Sequence, residues 1–266
     1  MPQYYSNLTK KSFKKSKKLK KFSILFVLSF TLILFALIIN FSDIFSSIIT
    51  NKNSLFYSDK IEVASYSVYA VSIKDFSNIE EASKYSEKVK EQGGAGYIYE
   101  SGEKFVLLFG YPNLIEAKEI QNNFIELGYN SRIVNLKVDA ISHRYKGENG
   151  NNIELSVKFF RNLYQELYQS CIEFDKNNLN KTQLNTLIVQ NLTKISNFSK
   201  ILENKKRGVD AKITNIITNK FEKIENLLKE ILHFEKDDVL LTSKIKEVCL
   251  KIVLENAEMN KKINAV

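Results

Sequence analysis

The sequence predicts an α+β protein in three parts: an N-terminal transmembrane helix, a βαββαβ unit, and an all-α C-terminal region built as a helical bundle or coiled coil. Three observations carry this. FSILFVLSFTLILFALIINF, residues 22–41, is an uncharged apolar run. FSNIEEASKYSEKVKEQGG (Phe76–Gly94) keeps its rhythm in YPNLIEAKEIQNNFIELGY (Tyr111–Tyr129). Beyond Gly150 there is one glycine, Gly208, and no proline, and apolar residues recur at helical spacing.

The N-terminus comes first. Residues 1–21 hold eight lysines and no acid, so subtracting eight from the net charge of +9 leaves +1 for the rest of the chain. A nucleic-acid domain needs its basic charge on a folded face, so nucleic acid is excluded as a partner. Twenty helical residues span ~30 Å, the thickness of the bilayer hydrocarbon. Lysines before the span and Asp43 after it put the N-terminus inside by the positive-inside rule. The expected layout is a basic cytoplasmic tail (1–21), a single-pass anchor (22–42) and a linker (43–59), with everything after about residue 42 extracytoplasmic. A buried soluble helix is one alternative. A cleaved signal peptide is the nearer one, but its apolar core is usually ~7–15 residues and ends at a small-x-small site.

The repeated unit spans 60–138. YSVYAVSI (Tyr66–Ile73) alternates at period two and reads as a strand. Ser77 with Glu80 three residues on forms a capping-box signature, followed by Ala82, Tyr85 and Val89 at helical spacing. Gly93 and Gly94 end that helix. GYIYE (Gly96–Glu100) and KFVLLF (Lys104–Phe109) flank Ser101-Gly102 as a hairpin. Asn113 and Glu116 repeat the cap spacing, and Ala117, Ile120, Phe124 and Leu127 form a second stripe that stops at Gly128. SRIVNLKV (Ser131–Val138) is the last strand. The repeat is thus the two halves of a split βαβ, ferredoxin-like arrangement, with both helices on one face of the sheet.

The strand, FSN, EEA, helix and glycine pattern, used twice, resembles the SPOR domain of bacterial cell-envelope proteins. The resemblance covers Tyr66 to about Val138. It implies a non-enzymatic module that binds peptidoglycan glycan strands, favours strands stripped of stem peptides, and gathers at division or sporulation septa. Where the family often carries Gln-x-Gly-x-Phe, this chain has SIKDF, with Ser72 and Lys74 in place of glutamine and glycine. The counterpart of a family arginine is Leu107 or Leu108. Sugars need hydrogen-bonding groups and flat aromatic faces. The sheet offers Ser72, Tyr69, Tyr97, Tyr99, Lys104 and Arg132 for these roles. Each also has a plain structural reading as a strand residue, a core aromatic or a solvated charge.

DAISHRYKGENGNN (139–152) lacks periodicity and reads as a linker. The helical domain, 153–266, follows. Ile153, Val157, Phe160, Tyr164, Leu167, Cys171 and Phe174 step alternately by four and three, a heptad seam. Leu184 to Leu202, Ile213 to Ile231 and Leu241 to Ile263 mark three more helices. An antiparallel bundle and an elongated oligomeric coiled coil both fit. Asp237-Asp238 caps the fourth helix. Cys171 and Cys249 sit on apolar faces, as buried free thiols or as a disulfide outside the cytoplasm.

No catalytic constellation is legible. His143 and His233 have no nucleophile motif beside them, and no Cys/His spacing resembles a metal site. No cofactor is expected. Two readings follow: a membrane-anchored glycan-binding envelope protein, or a membrane-anchored scaffold whose SPOR-like fold and helices bind envelope or septal proteins. A wall hydrolase is a distant third. Exposure of Ser72 and of strand 104–109 separates the first two.

Overall fold

A computed structural model of the chain describes residues 60–144, 150–203 and 209–266. The basic tail, the anchor expected over 22–42 and the linker at 43–59 lie outside the described residues. Among the described residues, no helix is long and apolar enough to cross a membrane. The architecture is α+β. In chain order the elements are β1 (Lys60–Val63), β2 (Tyr66–Phe76), α1 (Ile79–Glu91), β3 (Tyr97–Ser101), β4 (Glu103–Tyr111), α2 (Leu114–Glu126), β5 (Ser131–Val138) and β6 (Ile141–Arg144). Four long helices follow: α3 (Gly150–Asp175), α4 (Lys181–Glu203), α5 (Val209–Leu232) and α6 (Asp238–Asn264).

The main sheet has four strands in the order β3-β4-β2-β5, every neighbouring pair antiparallel. The βαββαβ order read from the sequence is therefore present. β2 runs to Phe76 rather than stopping at Ile73, and a register shift between Ile73 and Asp75 absorbs the extra length. That extension moves the first helix cap on by one residue. Asn78, not Ser77, is the N-cap, and its side chain accepts from the Glu81 N–H at 2.8 Å. Asn113 caps α2 as expected, accepting from Ile115 N–H at 2.8 Å.

Both helices end in the same way. Gly93 N–H donates to Lys90 O and Gly94 N–H to Val89 O; Gly128 N–H donates to Ile125 O and Tyr129 N–H to Phe124 O. These are paired Schellman motifs. Gly93 and Gly128 take φ of +77° and +84°, a region in which a Cβ costs energy. The duplicated glycines of the sequence thus mark one repeated piece of backbone chemistry.

The stretch expected as a linker, 139–152, is not all linker. Ile141–Arg144 forms β6 and pairs antiparallel with β1, Ile61 facing His143. Four residues are too few to display a period, and the partner strand lies far upstream in the sequence. The pair is held by burial: Ile61, Val63 and Ile141 join the main apolar cluster with residues of α3. Gly150, expected in the linker, starts α3.

The seam residues named for the four helices are buried in α3, α5 and α6; in α4, Leu192 and Phe198 are only partly buried. Each fully buried Ile or Leu contributes ~1.5–3 kcal/mol relative to an exposed one. Aromatic stacking joins α3, α4 and α5: Phe221 lies 5.2 Å from Phe160, nearly parallel, and 5.9 Å from Phe198. Asp237 caps α6, accepting from Leu240 N–H at 2.9 Å. Between α5 and α6, the Lys220 ammonium is 3% exposed and is held by Glu255 and Glu258. The sheet and these helices share one core. Val68, Ala70, Leu107, Phe109 and Leu136 cluster with Tyr164, Leu167, Val248 and Leu250. A second, smaller cluster of Phe76, Ala82, Val89 and Val106 lies between α1 and the sheet.

Candidate functional site

The sheet register brings several sugar-facing candidates into one row. Tyr97 on β3 pairs with Leu107 on β4, Leu107 with Ser72 on β2, and Ser72 with Arg132 on β5. Tyr99 lies one step along β3, opposite Phe105, and Lys104 lies at the end of β4, opposite Phe76 and Glu100. The sequence candidates are thus neighbours in space, apart from Tyr69, which pairs with Tyr111 and Asn135 further along β2.

The row is not an open surface. Ser72 is 0% exposed and its Oγ donates to Arg132 O at 3.3 Å. Ser131 Oγ in turn donates to Ser72 O at 2.9 Å. Leu107 is also fully buried, in the cluster shared with α3 and α6. Tyr97 and Tyr99 pack against the same cluster. Burial raises the Tyr97 hydroxyl above its usual pKa, and the charges of Glu247 and Glu255 on α6 add to the shift. Arg132 is exposed, but its guanidinium is engaged by Asp75 at 2.8 Å and Glu103 at 3.2 Å. Lys104 is partly exposed. Of the five candidates other than Tyr69, then, one is sealed inside, two are packed against the core, one cation is already neutralised, and Lys104 is partly exposed.

What covers the sheet is α6, with α3 beside it, and polar contacts fix the arrangement. Tyr164 OH donates to Gly110 O at 3.0 Å. Tyr168 OH donates to the Glu116 carboxylate of α2. Lys246 reaches Gly93 O at 2.9 Å and pairs with Asp175 at 2.9 Å, its ammonium 5.5 Å above the Phe109 ring centre. Asn256 donates to Tyr66 OH at 2.8 Å, Asn260 to Asp139 O at 2.7 Å and Asn264 to Ala140 O at 2.8 Å. These three asparagines step by four along α6, one above another on a helix face. Sequence reasoning missed them. For Asn256 and Asn260 the signal was there, since buried asparagines on an otherwise apolar stripe need partners, whereas Asn264 is exposed. Their partner groups come from elements too distant in sequence to name.

The site offers little for covalent chemistry. Cys171 and Cys249 are free and buried. Burial pushes the Cys171 thiol up to about 12 and raises Cys249 as well, so neither forms a thiolate nucleophile near neutral pH. Among the described residues, no group of three or more His, Cys, Asp or Glu side chains could hold a metal ion. In the row itself, Leu107, Tyr97 and Tyr99 are in contact with core side chains of the same chain. No protein-family model, curated protein or solved structure matches the chain.

Proposed function

We propose that this chain is a single-pass, membrane-anchored envelope scaffold, inserted with its N-terminus in the cytoplasm and carrying its folded part outside. In this reading the βαββαβ unit is SPOR-like and non-catalytic, and its sheet face serves protein contact rather than glycan. One observation carries the choice: Ser72 and Leu107, at the centre of the sheet row where sugar would lie, are fully buried, Leu107 in a cluster with helical residues of the same chain. The engaged Arg132 supports it, because a cation held by two carboxylates has little left to offer a sugar. The anchor and its orientation rest on the apolar run and its flanking lysines.

The glycan-binding reading, with a role at division or sporulation septa, requires α6 to leave the sheet. The test uses the full chain in nanodiscs, mixed with purified peptidoglycan sacculi before and after amidase removal of stem peptides. The scaffold reading expects no more sedimentation with either form than empty nanodiscs give. Sedimentation that rises on stripped glycan overturns it in favour of wall binding. Resistance of the chain to alkaline carbonate extraction from membranes checks the anchor separately.

A further inference from the structure

Away from the Ser72 row, an open groove of about 390 Å³ runs between the start of β2, the turn at Pro112 and α3. That is the size of small-ligand sites, roughly 300–1,000 Å³. Its aromatic walls are Tyr66 and Tyr69, with Tyr164, 1% exposed, backing them from the core. Two of these rings are pinned through their hydroxyls: Tyr66 OH accepts from Asn256, and Tyr164 OH donates to Gly110 O. The walls are therefore in place before anything binds.

Arg161 lies across the groove with its guanidinium 5.1 Å above the Tyr66 ring centre. Among the described residues it forms no ion pair. Guanidinium is a donor-only fork that suits a carboxylate. Ser67 and Gln165 also line the groove, and their side chains make no hydrogen bond among the described residues. The other cation, Lys137, is paired with Asp139 at 2.9 Å. The groove thus presents one positive charge without an anionic partner, stacked on Tyr66, together with a hydroxyl, an amide and the flat ring of Tyr69. A doubly charged phosphate would be half neutralised there. A singly charged, ring-shaped, hydroxylated ligand matches all three features.

We infer that this groove binds a sugar acid, with the carboxylate on Arg161, the hydroxyls on Ser67 and Gln165, and the C–H face of the ring against Tyr69. The site is separate from the sheet row; because amidase also frees the lactyl carboxylates of muramic acid, the sedimentation test is run on Arg161→Gln as well, and only sedimentation that survives that substitution counts against the covered row.

The experiment is a calorimetric titration of the full chain in nanodiscs with D-glucuronate, D-glucose and inorganic phosphate in turn. Glucuronate binds saturably, glucose at least about tenfold more weakly, and phosphate does not displace glucuronate at equal concentration, as a charge-assisted contact to Arg161 requires. Arg161→Gln weakens glucuronate by at least about tenfold and leaves glucose unchanged; Tyr69→Ala weakens both. Arg161 is exposed, so an unaltered melting curve certifies that the variant is folded. Absence of glucuronate binding, equal binding of glucose, displacement by phosphate, or indifference to Arg161→Gln each overturns the assignment.

Discussion

Gly110 reports on whether helix α6 truly covers the sheet. It sits on β4 opposite Ala70 of β2. A Cβ added there would lie 2.7 Å from Val68 Cγ1 and 2.9 Å from Leu250 Cδ2 of α6. Apolar carbons rest about 3.5–4.0 Å apart, so Ala needs ~0.6–0.8 Å more room than exists. Val68 is β-branched and Leu250 is fully buried, so neither yields freely. Overpacking of this kind costs ~1–3 kcal/mol. For a folded part of this size each kcal/mol is worth ~2–4 °C, so Gly110→Ala lowers Tm by roughly 2–12 °C. On an uncovered sheet only the Val68 contact within the sheet would remain, and the loss would not depend on Leu250. Gly110 has no positive φ, so Ala would gain ~0.4–1 kcal/mol by restricting the unfolded chain.

The assay is thermal unfolding of the full chain, followed by circular dichroism, for Gly110→Ala, Leu250→Ala and the double variant. Leu250→Ala alone leaves a cavity and costs ~2–5 kcal/mol. In the double variant the new methyl enters the space vacated by Leu250, so the combined loss is smaller than the sum by at least ~0.5 kcal/mol. A Gly110→Ala chain as stable as the parent, or strict additivity in the double variant, would falsify the packing of α6 on β4. The reason for placing Ser72 and Leu107 out of reach would go with it.

Three further outcomes are expected. Hydrogen bonds from Lys220 and then Lys262 hold the Glu258 carboxyl down at about 2. A depressed folded value means stability that is fully present above the unfolded value of 4.5 and drains away as pH falls from there towards 2. Denaturant midpoints measured from pH 6 to pH 2 should decline over that window, and Glu258→Gln should flatten part of the decline. Cys171 and Cys249 should resist a thiol reagent at pH 8 in the folded chain and both react in denaturant. Rapid labelling of either one in the native state contradicts their burial. Asn78→Ala and Asn113→Ala should each cost ~1 kcal/mol by loss of an N-cap, whereas Ser77→Ala stays within ~0.5 kcal/mol; equal losses at Ser77 and Asn78 would put the cap back where the sequence spacing first set it.

Which parts of the fold could be read in advance follows from the range of the interactions. The Schellman glycines, the Asn113 and Asp237 caps, the strand alternation and the heptad seam are each decided within a few residues. The Ser77 cap was one residue off because β2 continues past Ile73, a length set by pairing with β4 and not by its own sequence. β6 reads as linker in the sequence because ISHR carries no period of its own and becomes a strand only beside Lys60–Val63. At the candidate site, the register between strands, which alternation within a strand does not fix, put Tyr97, Ser72 and Arg132 in one row. Their accessibility was not local information.

The sequence alone thus determined the kinds of element, their order and their caps, because propensity, periodicity and glycine conformation act over one or two turns of chain. It also set the lysine cluster against an uncharged apolar run, which frames the membrane reading. Tertiary structure decided which sheet face would be free. Lys246 on Gly93, Asn256 on Tyr66, and Leu250 against Gly110 join residues more than a hundred positions apart. Only the closed chain places those groups within bonding distance, and that contact turns a row of sugar-facing candidates into the floor of a protein core.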